Sequence, residues 1–482
     1  METEIIMRTI YDRLREYSHS DYYGFHMPGH KRQVDLLGDT SPYSIDITEI
    51  DGFDDLHHAD GILKDAQERA ARIYHADETH FLINGSTVGI LSAIFGVTQK
   101  GDTILVARNC HKSVYHAIDM NELNPVYLYP AFDSEAQLNT EISAEDVRTA
   151  LEKNPKIRAV VIVSPTYDGV VSDVEAIAEA VHEKGIPIIV DEAHGAHFGF
   201  HPYFPENSNT KGADLVIHSL HKTLPSLTQT ALLHVNGDLV DRRRVKKYLD
   251  MLQTSSPSYV LMASIDACVE LLEHKAEECF APYVERLEYT RMRLSGLRRL
   301  KLIQTEHFDR SKLIISVKDT DLTGRQLSHI LLEEYHLQME MAAGTYILAM
   351  TSIGDTEEGM NRLIAVLEEI DARVDRRMGE LGIPEAFQIP AQSSLPRAQI
   401  ICPSAEVGFF SEEGVIRSLP WQESVGHMAM EYAYLYPPGC PLVVPGEKIS
   451  QEAADMLQWY QDLDFTIEGL KKEQYIEVWM HG

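Results

Sequence analysis

Lys222 lies in the stretch Asp214-Leu-Val-Ile-His-Ser-Leu-His-Lys-Thr-Leu-Pro-Ser-Leu-Thr-Gln-Thr-Ala231. The apolar run Leu215 to Ile217 reads as a short buried strand that delivers the lysine at its carboxyl end, where open α/β sheets place their ligand crevices. Crowded by histidines and hydroxyls, an amine there can form a Schiff base with a carbonyl compound. Taken alone, the stretch fits a surface lysine after a strand equally well. Two further sites bear on that choice. Asp191 ends the apolar run Ile186 to Val190 and opens Asp-Glu-Ala-His-Gly-Ala-His197. Asn84-Gly-Ser-Thr87 follows Phe81-Leu-Ile83 and precedes the apolar segment Val88 to Val97. There Gly85, Ser86 and Thr87 offer free N–H groups, hydroxyl donors and the positive end of a helix dipole, a cradle for phosphate. In isolation the same residues serve as an ordinary cap.

A phosphate cradle, a carboxylate and a lysine on strand ends together meet the needs of pyridoxal phosphate. The phosphate anchors the molecule, Lys222 holds the aldehyde, and Asp191 pairs with the pyridinium nitrogen and keeps the ring an electron sink. His111, in Arg108-Asn-Cys-His-Lys-Ser113, follows the apolar run Thr103 to Ala107 and is placed to stack on the ring face.

Positioning these groups requires a set of parallel strands. Short apolar runs recur at Phe81 to Ile83, Thr103 to Ala107, Val126 to Tyr129, Ile157 to Val163, Ile186 to Val190, Leu215 to Ile217 and Leu232 to Val235. Helix-length segments separate several of them. The clearest is Val174 to Lys184, with a capping box at Ser172-Asp-Val-Glu175 and Gly185 at its C-cap. Alternation of this kind predicts a doubly wound, mainly parallel sheet of seven strands in an α/β fold.

Ahead of it, residues 1–60 form an arm: a helix over Glu4 to Tyr17, then loops rich in Gly, Pro, His and Asp. The large domain spans 61–260. A smaller α/β domain, 261–380, has strands at Leu313 to Val317 and Tyr346 to Ala349 and helices at Gly324 to Tyr335 and Glu357 to Arg373. Gly382 to Pro403 reads as a linker, and 381–482 makes a C-terminal α+β domain.

A formal net charge of -31 argues against a nucleic-acid footprint and suits cationic small molecules. The five cysteines are scattered, without a CxxC pair, as reduced thiols are in a cytosolic protein. No signal-peptide h-region opens the chain, and no apolar run is long enough for a bilayer. The expected location is the cytoplasm, without membrane or nucleic-acid partners.

The chain resembles the Orn/Lys/Arg decarboxylase family of fold-type-I pyridoxal-phosphate enzymes, in its short form without an N-terminal wing domain. The resemblance rests on His26-Met-Pro-Gly-His-Lys31, Asp54-Asp-Leu-His57, Asn84 to Thr87, Arg108 to Ser113, Pro165-Thr-Tyr-Asp-Gly169, Asp191 to His197, Ser219 to Leu224, Thr228-Gln229, Tyr436-Pro-Pro-Gly439 and Pro445-Gly-Glu447, in the family's order. It implies that Lys222 carries the cofactor, Asp191 pairs with the pyridine nitrogen and His111 stacks on the ring. Ser86, Thr87, Ser219 and His221 would hold the phosphate, with Ala193 and His194 beside the ring. It also implies a site shared between two subunits, with Thr254 and Ser255 reaching a neighbour's phosphate, and so at least a homodimer. Asp54, Asp55 and Glu447 are candidates for the distal end of a cationic substrate. Pro225, Ile217, Ser404 and His427 depart from the family pattern.

The expected reaction is decarboxylation of a basic amino acid, arginine ahead of lysine and ornithine. Tyr346 to Asp355 offers no arginine of the kind an aminotransferase uses to clamp a carboxylate. The alternatives are an aminotransferase or lyase of the same fold, a metal hydrolase on Asp191, His194, His197 and His201, and a non-catalytic binding protein.

Overall fold

The computed structural model describes residue 21 and residues 23–25, 47–50, 52–381, 394–410, 415–436 and 439–480. The expected helix Glu4 to Tyr17 and the segment His26 to Lys31 lie outside them. Of the arm, strand β1 (Tyr23–Phe25) is described.

From residue 62 onwards helices and strands alternate: α1 (Ile62–Ile73), β2 (Glu78–Leu82), α2 (Gly85–Val97), β3 (Thr103–Ala107), α3 (Lys112–Met120) and β4 (Asn124–Leu128). Further on come β5 (Ile157–Val163), α4 (Val174–His182), β6 (Ile188–Asp191), β7 (Leu215–His218), the one-turn α5 (Leu220–Thr223), β8 (Ala231–Val235) and α6 (Arg242–Leu252). Seven of the strands form one sheet in the order β2-β8-β7-β6-β5-β3-β4. All neighbours are parallel except β8, which runs antiparallel to β2 and β7. Parallel strands need crossover helices, and these cover both faces; the central strands are therefore apolar throughout rather than alternating. Every residue of β6 and β7 is buried.

Helix α2 is apolar on all sides because it lies between the sheet and α6, with Val88, Ile90, Ala93 and Ile94 buried. A Cβ at Gly89 would stand 2.6 Å from Leu82 Cδ1 and 3.3 Å from Ile217 Cγ2, so the helix approaches the sheet this closely only on a glycine. The cap of α4 differs from expectation. Asp173, not Ser172, accepts the N–H of Ala176, because the buried Ser172 hydroxyl accepts from Ile142 instead.

The long helix α7 (Tyr259–Leu294) leads out of the large domain and departs from helical geometry at Lys275. It packs with α9 (Glu357–Leu381) against a smaller sheet. The strands there are β9 (Lys301–Ile303), β10 (Lys312–Ser316), β12 (Met341–Ala342) and β13 (Tyr346–Met350), with α8 (Gly324–Tyr335) between them. They pair antiparallel in the order β9-β10-β13-β12. Between α8 and β12, β11 (Leu337–Met339) pairs in parallel with β1. Leu287, Leu313, Ile315, Leu327, Ile347 and Leu367 share its core with residues of the large domain.

The C-terminal segment has its own core around Trp421, Leu457, Ile476 and Val478. A five-stranded and a three-stranded sheet flank the helix Gln451–Asp462. Within the expected linker, Gln399–Ile400 pairs with Glu447–Lys448 as a strand. Among the described residues no helix is long and apolar enough to cross a membrane.

Candidate active site

β6 and β7 are parallel neighbours, Asp191 pairing in register with Ile217, so the segments that follow them emerge side by side. Beyond β7 the chain turns through Ser219 into α5, which carries His221 and Lys222. Lys222 Nζ lies 3.0 Å from His194 Nε2 in the turn after β6. Across the sheet, Gly85, Ser86 and Thr87 open α2, and His111 ends the loop after β3. These residues, with Ala193 and Asp191, line one pocket of about 760 Å³. Ser219, next to this pocket in sequence, is fully buried, and among the described residues its hydroxyl has no hydrogen-bond partner.

Burial dominates the electrostatics. It raises the Asp191 carboxyl, with Lys222 pulling the other way. It lowers the Lys222 amine against the attraction of Asp191 and Glu340. His111 is pushed down to about 3 by burial and then by the positive charge of Lys222. Its Nδ1 accepts the N–H of Ser113 at 3.2 Å, which fixes the ring as a cap of α3. His194 is held well below its usual range by burial and by Lys222 and Lys312. A pocket with neutral imidazoles and an amine whose charged form is disfavoured by burial is suited to carbonyl addition and proton transfer.

Thr254 and Ser255 are exposed on the loop after α6 and do not line the pocket of the single chain. The Thr254 N–H donates to Asn84 Oδ1 at 3.3 Å, which ties the loop to the segment before α2. The three distal candidates do not line the pocket of the single chain, and each has partners elsewhere in it. Asp54 accepts the backbone N–H groups of Asp55, Asp60, Gly61 and Leu63. Partial burial would raise its carboxyl, but these donors outweigh it and hold it at about 2. Asp55 caps the short 3-10 turn Leu56–His58. Glu447 is buried in an ion pair with Arg108 at 3.2 Å, away from the pocket. The histidines of the metal alternative do not converge either: His197 pairs with Asp309, and His201 accepts the Tyr203 N–H. Among the described residues no three His, Cys, Asp or Glu side chains cluster as a metal site.

Several residues came without a role in the sequence reading. Tyr167 and Glu340 line the pocket and are joined by a short hydrogen bond from the phenol. Lys312, buried in β10, has its Nζ 3.0 Å from His194 Nδ1. A lone lysine before an apolar strand gives no sequence signal, since its partners lie more than a hundred residues away.

Comparison with known proteins accords with this arrangement. Residues 9–343 match the family model described as Orn/Lys/Arg decarboxylase, major domain, and residues 393–473 match the model of its C-terminal domain. The chain is 32% identical over 474 residues to the arginine decarboxylase of Bacillus anthracis, covering 95% of this chain and 94% of that one. It is likewise 32% identical over 480 residues to the arginine decarboxylase of Bacillus subtilis, covering 95% of each. The solved structure of lysine decarboxylase A from Pseudomonas aeruginosa superposes with a TM-score of 0.74 at 19% identity, over 98% of this chain and 82% of that one, a likeness of fold. With its fold-type-I sheet, its lysine-bearing turn and matches over both domains, the chain belongs to the Orn/Lys/Arg decarboxylase family.

Proposed function

We propose that this protein decarboxylates arginine, giving agmatine and carbon dioxide, with pyridoxal phosphate held in the pocket at the ends of β6 and β7. The observation that carries the proposal is the convergence of Lys222, Asp191 and the start of α2 on that pocket. The unpartnered, buried hydroxyl of Ser219 fits the same cofactor, because a phosphate oxygen would supply the acceptor it lacks. Ser86, Thr87 and His221 would complete the phosphate site, Asp191 would face the ring nitrogen and His111 the ring. When bound, the cofactor supplies an electron sink for the pair released as the bond from Cα to the carboxylate breaks.

The chain's own residues do the rest. Burial lowers the Lys222 amine, which favours the unprotonated form that can hold the aldehyde. Lys222 and the adjacent His194, 3.0 Å apart, are the groups that would hold and pass a proton beside the bound substrate. Tyr167 and Met339 give the largely polar pocket an aromatic and apolar wall. Arginine is supported by the Bacillus relatives, and the net charge of -31 favours approach of a cation. The reading includes a cytoplasmic homodimer: Thr254 and Ser255 are exposed in the single chain, as residues serving a neighbour's site would be.

Incubation of the purified protein and pyridoxal phosphate with arginine, lysine and ornithine in turn, with carbon dioxide and amine products recorded, tests the proposal. Agmatine and carbon dioxide from arginine in preference to the others is the expected result. A keto acid without carbon dioxide would replace decarboxylation by transamination.

A further inference from the structure

A second cavity, of about 370 Å³, adjoins the pocket that holds Lys222. Asn109, Tyr167, Tyr436 and Cys440 line both, so the two share a wall. The Tyr167 ring centroid lies 4.7 Å from that of His194, whose Nε2 is 3.0 Å from Lys222 Nζ. The next residue along the chain, Asp168, lines the second cavity and not the first. Three parts of the chain meet there: the turn Pro165 to Gly169 after β5, Ala342 and Tyr346 of the small sheet, and Tyr460 and Phe465 of the C-terminal segment.

The lining suits a cation. Among the described residues Asp168 is its only carboxylate. The turn that carries it is closed by the Gly169 N–H, which donates to the Thr166 carbonyl at 2.9 Å, and the Tyr346 hydroxyl donates to Asp168 Oδ1 at 2.7 Å. A carboxylate accepts at about four positions, so that bond leaves room for the donors of a ligand. Asn109 and Asn139, also in the lining, each leave a buried side-chain oxygen without a hydrogen-bond partner among the described residues. Tyr346, Tyr460 and Phe465 add aromatic surface. Arg325, the only cation of the lining, is about half exposed and pairs with Asp464 at 3.4 Å.

We propose that this second cavity takes the side chain of the substrate, with Asp168 as the carboxylate that holds its guanidinium. That the substrate is arginine rests on the decarboxylase reading. Acceptors that lack donors of their own are matched by a group rich in N–H and without lone pairs. A guanidinium offers five such donors in a planar fork that also stacks on aromatic rings, whereas an ammonium offers three. Burial raises the Asp168 carboxyl, against the Tyr346 bond and the charge of Lys312. A cation bound beside it favours the ionised form whatever its charge beforehand.

The test is calorimetry with butylguanidine, which has the side chain of arginine and neither its α-amine nor its carboxylate, on the full chain with and without pyridoxal phosphate. The wild type should bind it in both states. Asp168→Asn should weaken that binding roughly 10- to 100-fold, the loss expected for a hydrogen bond to a charged group. Glu340→Gln, a carboxylate of the first pocket, should change it less. In steady-state kinetics Asp168→Asn should raise the KM for arginine by a similar factor with a smaller change in kcat, because a contact made throughout the reaction is lost. Ala342→Phe fills the cavity from the small sheet and should raise KM more for arginine than for the shorter ornithine; it decides if Asp168→Asn does not fold. No binding of butylguanidine by the wild type, unchanged binding in Asp168→Asn, a larger loss in Glu340→Gln, or equal losses for arginine and ornithine in Ala342→Phe would each overturn the proposal. Butylguanidine binding is read whether or not carbon dioxide is released, so a failure of the decarboxylase reading would appear in the products alone.

Discussion

At the scale of the residue, the Ser219 hydroxyl is buried and, among the described residues, has no hydrogen-bond partner. Such a group costs stability until a ligand satisfies it. Ser219→Ala should therefore leave the cofactor-free protein as stable or slightly more stable. It should also weaken pyridoxal phosphate binding roughly 10- to 100-fold, since a hydrogen bond to a charged group contributes about 1.5–3 kcal/mol. A fluorescence titration together with a urea melt measures both, and unchanged affinity would remove Ser219 from the phosphate site. Asp191→Asn keeps the shape and removes the charge; kcat should fall roughly 10²-fold or more, as steady-state kinetics would show. That Lys222, Asp191, His111 and Gly85 to Thr87 come together at one pocket was legible because each follows an apolar run that ends at the same edge of a sheet. Lys312 and Glu340 were not, because their meaning comes from tertiary contacts with His194 and Tyr167. The partners of Asp54 and Glu447 were hidden for a related reason. Acidity is visible in a sequence, but the four N–H groups around Asp54 and the Arg108 beside Glu447 are not.

At the scale of the element, a buried polar chain ties β2, β8 and β7 to the turn after β6. Thr79 Oγ1 lies 2.7 Å from His234 Nδ1, His234 Nε2 lies 2.9 Å from His218 Nδ1, and His218 Nε2 lies 2.8 Å from Glu192 Oε1. Burial keeps His234 well below its usual range, so the link is of hydrogen bonds through a neutral ring. His218→Phe strips Glu192 of one buried partner and should cost about 3 kcal/mol. That loss would appear as a lower urea midpoint at an unchanged slope, and an unmoved midpoint would show the chain to be slack. The Asp54 loop gives a pH signature. Its folded carboxyl is depressed from 3.8 to about 2, so its contribution is fully present above the unfolded value and is lost as pH falls through the folded one. Unfolding followed between pH 5 and 2 should show Asp54→Asn with a shallower acid loss than the wild type. Strand positions were readable to within a few residues because buried parallel strands are short apolar runs. Cap identity was not, since Ser172 is drawn away from α4 by Ile142.

At the scale of the whole molecule, the pocket is built where large, small and C-terminal parts meet: Asp191 and Lys222 from the first, Met339 and Glu340 from the second, Tyr436 and Cys440 from the third. The exposed Thr254 and Ser255 fit a site completed by a second copy. A Lys222→Ala chain and a Thr254→Ala/Ser255→Ala chain should each be impaired alone, yet subunit exchange between them should recover activity, because a mixed dimer contains one intact site. Recovery measured against either variant alone reads this out, and no recovery would assign both functions to one chain. The charge of the whole chain adds a salt dependence. With net charge -31, kcat/KM for arginine should fall as ionic strength rises, while kcat changes little.

The most direct test of the central claim is to load the protein with pyridoxal phosphate, reduce it with borohydride and map the modified peptide by mass. The account predicts a single pyridoxyl adduct on Lys222 and loss of the visible absorption on reduction. An adduct on Lys112 or Lys312 instead, or no adduct at all, would contradict it.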